Sequence, residues 1–366
     1  MDLQPGYRRE PLPDPESVGE DDELVEAIRD EIRRHGPLTF ARFMDRALYE
    51  PGHGYYRRPD AGPGRGGDFL TAPEAHPIYG AVIGRLLEQA WEALGRPDPF
   101  TVIDAGAGPG TLARTVLAAR PACLDALTYV AVEVSPAQRE RHPDGIESRP
   151  DLPTAPIRGV VIANELLDNL PFRLAVFDNG WREAFVDVDR AGRFVEVLSD
   201  VIDPPPPWLP PRPIVGARAP LVDRAAAFVD DARGLLDAGT LVCIDYGTPR
   251  TGALAMRPWR EWLRTYRSNE RGGHYLADAG DQDITIDIPF DQLPEPDSSR
   301  SQAQFLQRWG IAELVAEGVR VWTEQAARPG LEAMRMRSRV AESEAILDPT
   351  GLGAFLVAEW RSTPQR

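Results

Sequence analysis

Residues 103–113 read IDAGAGPGTLA, and the spacing of their glycines decides both the fold and the kind of ligand it holds. Phe100 to Ile103 is a strand-like apolar run, Leu112 to Ala119 is helix-like, and Gly106, Gly108 and Gly110 lie between them. Strand, glycine turn, helix is the setting in which nucleotide-type ligands sit. A dinucleotide loop needs G-x-G-x-x-G, with its third glycine at position 111. That position is Thr111, and the third glycine is Gly110. A P-loop needs Gly-Lys-Ser/Thr after its glycines, and all 41 basic residues of this chain are arginine. Asp104, directly before the loop, repels a pyrophosphate but suits an ammonium group.

Three further apolar runs continue the pattern: YVAVEV (129–134), GVVIANE (159–165) and TLVCIDYG (240–247). With FTVID (100–104) they read as buried parallel strands of an α/β fold. The four end in Asp104, Glu133, Asn164 and Asp245, and in open α/β sheets ligands bind at that carboxyl edge. One ligand fits both the loop and these acids. S-adenosyl-L-methionine carries an ammonium for Asp104, a carboxylate for backbone N–H groups at a helix start, and ribose hydroxyls for Glu133.

A formal charge of -16 opposes nucleic-acid binding, which needs a basic face, and opposes docking on an anionic membrane. No apolar run approaches the ~20 residues of a membrane span. The two cysteines, Cys123 and Cys243, lack metal-ligand spacing, so no metal is expected. Cys243 reads as a packed small hydrophobe. The acidic, proline-rich start resembles neither a signal nor a transit peptide, so a cytoplasmic protein is expected.

Residues 1–21 read as a disordered tail. Residues 22–99 read as a helical extension: one helix with Leu24, Val25, Ile28 and Ile32 on a face, a second capped by Thr39, a glycine-rich loop, and a long third helix through Tyr79 and Leu87. The catalytic domain spans 100–357, and 358–366 is a second tail. Inserts are expected at about 172–219 and 258–300. The first alternates by twos, with turns at Asp178-Asn179-Gly180 and Ala191-Gly192, as an antiparallel β-meander does, and DPPPPWLPPRP (203–213) then reads as a stiff connector. The second holds a polar stretch, Arg267 to Gly280, with the character of a flexible lid.

Around the loop, in order, stand GPLTFARFMDRALYEPGHGYY (36–56), GDFLTAPE (67–74), NELLDNLPF (164–172), IDYG (244–247) and GDQDIT (280–285). Together they resemble the MidA family of S-adenosylmethionine-dependent methyltransferases, whose mitochondrial members are complex I assembly factors that methylate a protein arginine. The resemblance runs from residue 36 to about 357. It implies a Rossmann-like, seven-stranded class I methyltransferase sheet with an N-terminal helical extension and an inserted meander and lid. It also implies a homodimer, and a cofactor cleft lined by Gly106, Gly108, Gly110, Glu133, Asn164 and Glu165, with Thr71 in the block that packs over the cofactor. The chain departs from the family in its DAGAGPG loop, in Asn269 where a histidine is usual, and in DAGDQD on the lid side.

An arginine acceptor is protonated at neutral pH, so acidic side chains must orient its guanidinium and take up a proton. Glu165 and Asp168, at i and i+3 in NELLD, are the catalytic candidates if that stretch is helical. Asp245, Tyr246, His53, Asp281 and Asp283 read as pocket residues or as structural anchors. A protein substrate is the expected partner. A small-molecule O- or N-methyltransferase and a non-catalytic assembly factor remain alternative readings.

Overall fold

The computed structural model describes residues 17–58, 72–267, 270–328 and 330–363. Its centre is a seven-stranded mixed sheet: β1 Phe100–Ala105, β2 Leu127–Val132, β3 Glu147–Arg149, β4 Ile157–Asn164, β5 Leu236–Asp245, β6 Ser298–Ser301 and β7 Leu356–Ser362. The spatial order is β6-β7-β5-β4-β1-β2-β3. Strands β3, β2, β1, β4 and β5 run parallel, while β7 is antiparallel to both β5 and β6. The order reverses between β1 and β4, and a crevice opens at such a switch point, beyond the strands' carboxyl ends.

Both faces of the sheet are covered, which is why its strands read as unbroken apolar runs. Successive side chains point to opposite faces. Phe100, Val102, Val160, Ile162 and Val242 enter one core with the helices Ile78–Ala93 and Thr111–Ala119. Ile103, Val161, Leu241 and Cys243 enter the other, continuous with Leu24, Ile28, Phe40 and Phe43 of the helices Asp22–His35 and Phe40–Tyr49. Thr39 caps the second of these helices, its side chain accepting from Arg42 N. Burial raises the Cys243 thiol well above its ordinary pKa, as expected of a packed hydrophobe.

The alternating segment forms a second, separate sheet. Arg173–Phe177, Trp181–Val188 and Phe194–Val201 run antiparallel, joined by Arg218–Leu221 and by Leu38–Thr39 from the extension. The proline run is not a straight rod. Leu209 N donates to Pro206 O at 3.1 Å, and this turn tucks Leu209 into a small core with Trp181 and Ala219.

Three segments differ from their sequence reading. Residues 358–362, expected in the terminal tail, continue β7, because this strand lies between β5 and β6 and is covered on both faces, burying Val357, Ala358, Glu359 and Trp360. Residues 17–21 are held: Val18 O accepts from Ala279 N, Glu20 N donates to Asp281 Oδ2, and Asp21 caps the first helix. The stretch expected as a flexible lid is packed where it is described. Tyr275, Leu276, Ala277 and Ala279 are buried, with the Tyr275 ring 5.1 Å from Phe40, because this apolar patch outweighs its polar flanks. Among the described residues no helix is long and apolar enough to cross a membrane, and no group of three or more His, Cys, Asp or Glu could hold a metal ion.

Candidate functional site

The glycine loop turns where the sequence places it. Gly106, Gly108 and Gly110 have φ of 74°, 52° and 76°, left-handed values that side chains disfavour. The loop is stitched to the neighbouring strand: Gly106 N and Ala107 N both donate to Val132 O, at 2.9 and 3.0 Å. Gly108 N donates to Glu133 Oε2 at 2.9 Å, and Ser135 N to Glu133 Oε1 at 2.8 Å. The helix Thr111–Ala119 then begins at Gly110 with no side-chain cap. Its first N–H groups therefore face the crevice as donors for an anion.

Two buried acids flank this loop. Asp104 is 2% exposed and accepts from Tyr129 Oη at 2.9 Å. Burial pushes its pKa up to about 7; the Tyr129 hydrogen bond opposes this and the nearby Glu133 charge adds to it. Burial also raises the pKa of Glu133, against the two backbone N–H bonds that favour its charged form.

Across the crevice, Asn164 ends β4. Its Oδ1 accepts from Tyr79 Oη at 2.6 Å, and its Nδ2 donates to Glu165 Oε1 at 3.2 Å. Glu165 adopts φ of 52°, unusual for a residue with a side chain. Its N–H is held by Ile244 O at 2.8 Å, and Oε1 also accepts from Ala72 N at 3.1 Å.

The expected shared helical face of Glu165 and Asp168 does not exist. The chain leaves β4 through left-handed Glu165 and makes only a 3-10 turn, Leu167–Asn169. Asp168 is carried inward, where Oδ2 accepts from Thr285 Oγ1 at 2.5 Å and from Tyr246 Oη. Asp245 holds this turn from below, accepting from Leu167 N at 2.9 Å and Asp168 N at 3.3 Å. Burial raises the pKa of Asp168 and of Asp245.

A cavity of about 290 Å³ fills the crevice. Of the candidate site residues, Asp104, Gly106, Gly108, Glu133, Asn164 and Glu165 line it; Gly110 and Asp168 do not. Thr71 and Asn269 lie outside the described residues. His53 is tied to Asp21 at 2.8 Å, Asp281 to Arg58 at 2.5 Å, and Tyr246 packs on Phe355 at 5.4 Å, so these three are anchors. The cavity also uses Tyr49, Tyr56, Gln138, Asp151 and Leu152, which the sequence reading did not single out. The last two follow β3, whose three polar residues ESR give no apolar run to mark a strand. The tyrosines stand in YEPGHGYY, a block visible in the sequence but not tied to a ligand.

The family model described as "Putative S-adenosyl-L-methionine-dependent methyltransferase" matches residues 82–307. The chain is 28% identical over 311 residues to a fruit-fly (Drosophila melanogaster) protein named protein arginine methyltransferase NDUFAF7 homolog, mitochondrial, covering 73% of this chain and 68% of that one. It is 27% identical to the mouse (Mus musculus) protein arginine methyltransferase NDUFAF7, mitochondrial, covering 76% and 72%. A crystal structure of a COG1565 superfamily member from Burkholderia thailandensis, bound to S-adenosyl-homocysteine, superposes with a TM-score of 0.81. It is 28% identical and covers 97% of this chain and 96% of that one. The expected cytoplasmic placement is corrected by these relatives, since the animal proteins are named as mitochondrial.

Proposed function

The chain belongs to the S-adenosyl-L-methionine-dependent methyltransferase family, and we propose that it methylates an arginine side chain of a protein. The donor is S-adenosyl-L-methionine, and the activity is methyl transfer. The observation that carries the arginine reading is Glu165. This acid is held in a left-handed turn on the cavity wall, in a chain related across more than two thirds of its length to proteins named arginine methyltransferases.

The residues present fit the donor. Three left-handed glycines keep side chains out of the loop, the helix start is uncapped, and two acids flank the turn. In this reading Asp104 faces the donor's ammonium, the N–H groups after Gly110 face its carboxylate, and Glu133 takes its ribose hydroxyls. A carboxylate has about four acceptor sites, so Glu133 can hold Gly108, Ser135 and the ribose together. Asn164 and Glu165 close the opposite wall. Bound there, S-adenosylmethionine supplies an electrophilic methyl group on a sulfonium. The chain's own work is to exclude water, align the acceptor nitrogen and receive its proton, and alignment supplies much of the rate. Glu165 orients the guanidinium by charge-assisted hydrogen bonds. Asp168 supports the turn that carries it.

The fold is, in this reading, the class I methyltransferase sheet with two kinds of addition: the helices of residues 22–99, and inserts near 172–219 and 258–300. The additions supply Tyr49 and Tyr56 to the cavity, on a sheet whose own strand ends carry the donor residues.

The test is incubation with methyl-labelled donor and a cell lysate, followed by separation of protein from small molecules and acid hydrolysis of the protein. Label in methylarginine is expected. Label confined to small molecules would replace this reading with a small-molecule methyltransferase. No transfer, with donor binding intact, would leave a cofactor-binding assembly factor.

A further inference from the structure

Asp283 stands one hydrogen bond behind the cavity, and the groups in front of it belong to the cavity wall. Its Oδ1 accepts from Tyr56 Oη at 2.9 Å and from Asn169 Nδ2 at 3.0 Å. Tyr56 and Asn169 both line the cavity. Tyr56 lies in the 3-10 turn Tyr55–Arg57 of the N-terminal extension, while Asp283 opens the strand Asp283–Ile286 of the second insert. Two additions to the central sheet thus meet at one carboxylate oxygen.

The arrangement is fixed on every side. Tyr49 stacks on Tyr56, with centroids 5.6 Å apart and planes at 18°, and Tyr49 Oη donates to Asn169 O at 3.0 Å. Asp283 is 3% exposed, and no cation is paired with it among the described residues. The ionisable groups around it are Tyr49 and Tyr56 from the extension, Asp168 from the turn after β4, and Tyr266, its antiparallel partner on the strand Leu263–Arg267. On the adjoining strand Leu263–Arg267, Arg264 pairs with Asp287 at 2.7 Å rather than with Asp283.

We propose that Tyr56 and Asp283 are the proton outlet of methyl transfer, Tyr56 relaying to Asp283 the proton that the acceptor nitrogen loses. This rests on the arginine reading above. As the acceptor nitrogen forms its bond to the methyl carbon, the carbon–sulfur pair stays on sulfur and one N–H proton must leave nitrogen. That proton passes to Tyr56 Oη while the hydroxyl's own proton passes to Asp283 Oδ1. The tyrosine ends neutral, the carboxylate ends protonated, and the methylated guanidinium keeps its single positive charge. Burial and the neighbouring Asp168 push the pKa of Asp283 up to about 7, near the value at which a group best accepts a proton under neutral conditions. Asp168 does not line the cavity, and its Oδ2 is taken by Tyr246 and Thr285, so it raises Asp283's proton affinity instead of receiving the proton from the wall.

The test uses Asp283→Asn, which keeps an oxygen for Tyr56 and Asn169, and Tyr56→Phe, which keeps the ring. Single-turnover methyl transfer is followed at saturating S-adenosylmethionine on the protein fraction of a lysate and on a pool of arginine-containing peptides. Both variants are expected to bind S-adenosylhomocysteine as the parent does and to transfer about a hundredfold more slowly, the scale of a lost general base. The rise of rate with pH through about 7 should disappear in Asp283→Asn. Infrared titration of the unliganded protein gives a readout that needs no turnover. Two buried carboxyls, Asp104 and Asp283, should lose their protons near pH 7; the Asp283 signal should vanish in Asp283→Asn, leaving that of Asp104, and should titrate at higher pH in Tyr56→Phe, where the hydrogen bond that lowers its pKa is gone. A parental rate and pH profile in Asp283→Asn would overturn the outlet, and so would a full rate in Tyr56→Phe. Label on an acceptor other than arginine, with both variants still slow, would sink the arginine reading and leave the outlet standing.

Discussion

Gly108 donates its backbone N–H to Glu133 Oε2 across 2.9 Å, so the glycine loop after β1 and the acid after β2 form one unit. The same carboxylate holds Ser135 N at 2.8 Å. Glu133 therefore shapes the loop and, on the proposed assignment, also faces the donor, so removing it disturbs both. Glu133→Ala loses two hydrogen bonds to a charged acceptor, each worth about 1.5–3 kcal/mol. A loss of at least about a hundredfold in S-adenosylhomocysteine affinity by calorimetry is expected. Parental affinity would place the ribose elsewhere.

The loop's first glycine gives a separate test. At Gly106, φ is 74° and an added Cβ would lie 3.0 Å from Leu166 Cδ1. Gly106→Val joins a disfavoured backbone to a β-branched side chain with little room, so the turn must change shape. Donor binding should be abolished, while far-ultraviolet circular dichroism stays parental because the sheet and its two cores do not depend on the loop. A variant that still binds donor at parental affinity would show that the cavity is not the donor site.

If Asp104 faces the donor's ammonium as proposed, donor affinity depends on pH. In the unliganded protein burial raises its pKa to about 7, while a bound ammonium favours the ionised form and lowers it. Binding then releases a proton whenever the pH lies below about 7, so affinity for S-adenosylhomocysteine must rise with pH. Between about pH 5.5 and 7.5 the gain should exceed about tenfold, as the ionised fraction of such a group grows. The sign for the unliganded fold is the opposite. A carboxyl with a raised folded pKa contributes stability that is full below its unfolded value of 3.8 and is lost as pH rises through about 7. Asp104→Asn should flatten the affinity profile. An unchanged profile would assign it to Glu133, whose pKa is also raised.

Much of the cavity wall around the glycine loop was legible because its physics is local. Glycine spacing sets a turn, apolar runs of five to eight residues set buried strands, and the polar residue closing each run falls on one edge. Asp104, Glu133 and Asn164 needed nothing more. The acceptor side depends on contacts distant in the chain, such as Tyr56 with Asp283 and Tyr49 with Asn169, which no periodicity encodes. The error at Asp168 has a definite cause. NELLD carries helical spacing, but left-handed Glu165 breaks the chain direction first, and Asp245 then caps a 3-10 turn that a longer helix would abolish. The expected lid failed for a similar reason: YLADA is short, yet its Tyr275 meets Phe40 and Trp259, and its apolar residues are buried.

Glu165 separates orientation of the acceptor from binding of the donor. Its left-handed φ of 52° carries a backbone cost of about 1–3 kcal/mol, and conformations of that kind persist where function demands them. Glu165→Gly relieves the strain, so its melting temperature should equal or exceed that of the parent even though the bond to Ala72 N is lost. Glu165→Gln keeps an oxygen for Ala72 but no charge for a guanidinium. If Glu165 orients the acceptor, the glutamine variant should bind S-adenosylhomocysteine within about twofold of the parent and turn over at least about tenfold more slowly at saturating donor, a loss confined to the transition state. The glycine variant should be equally slow despite its stability, which would exclude unfolding as the cause. The opposite result, full turnover at saturating donor with weakened donor affinity, would make Glu165 a donor ligand alone. The guanidinium would then have to be oriented by other residues of the wall, with Tyr49, Tyr56 and Asn169 the first to vary.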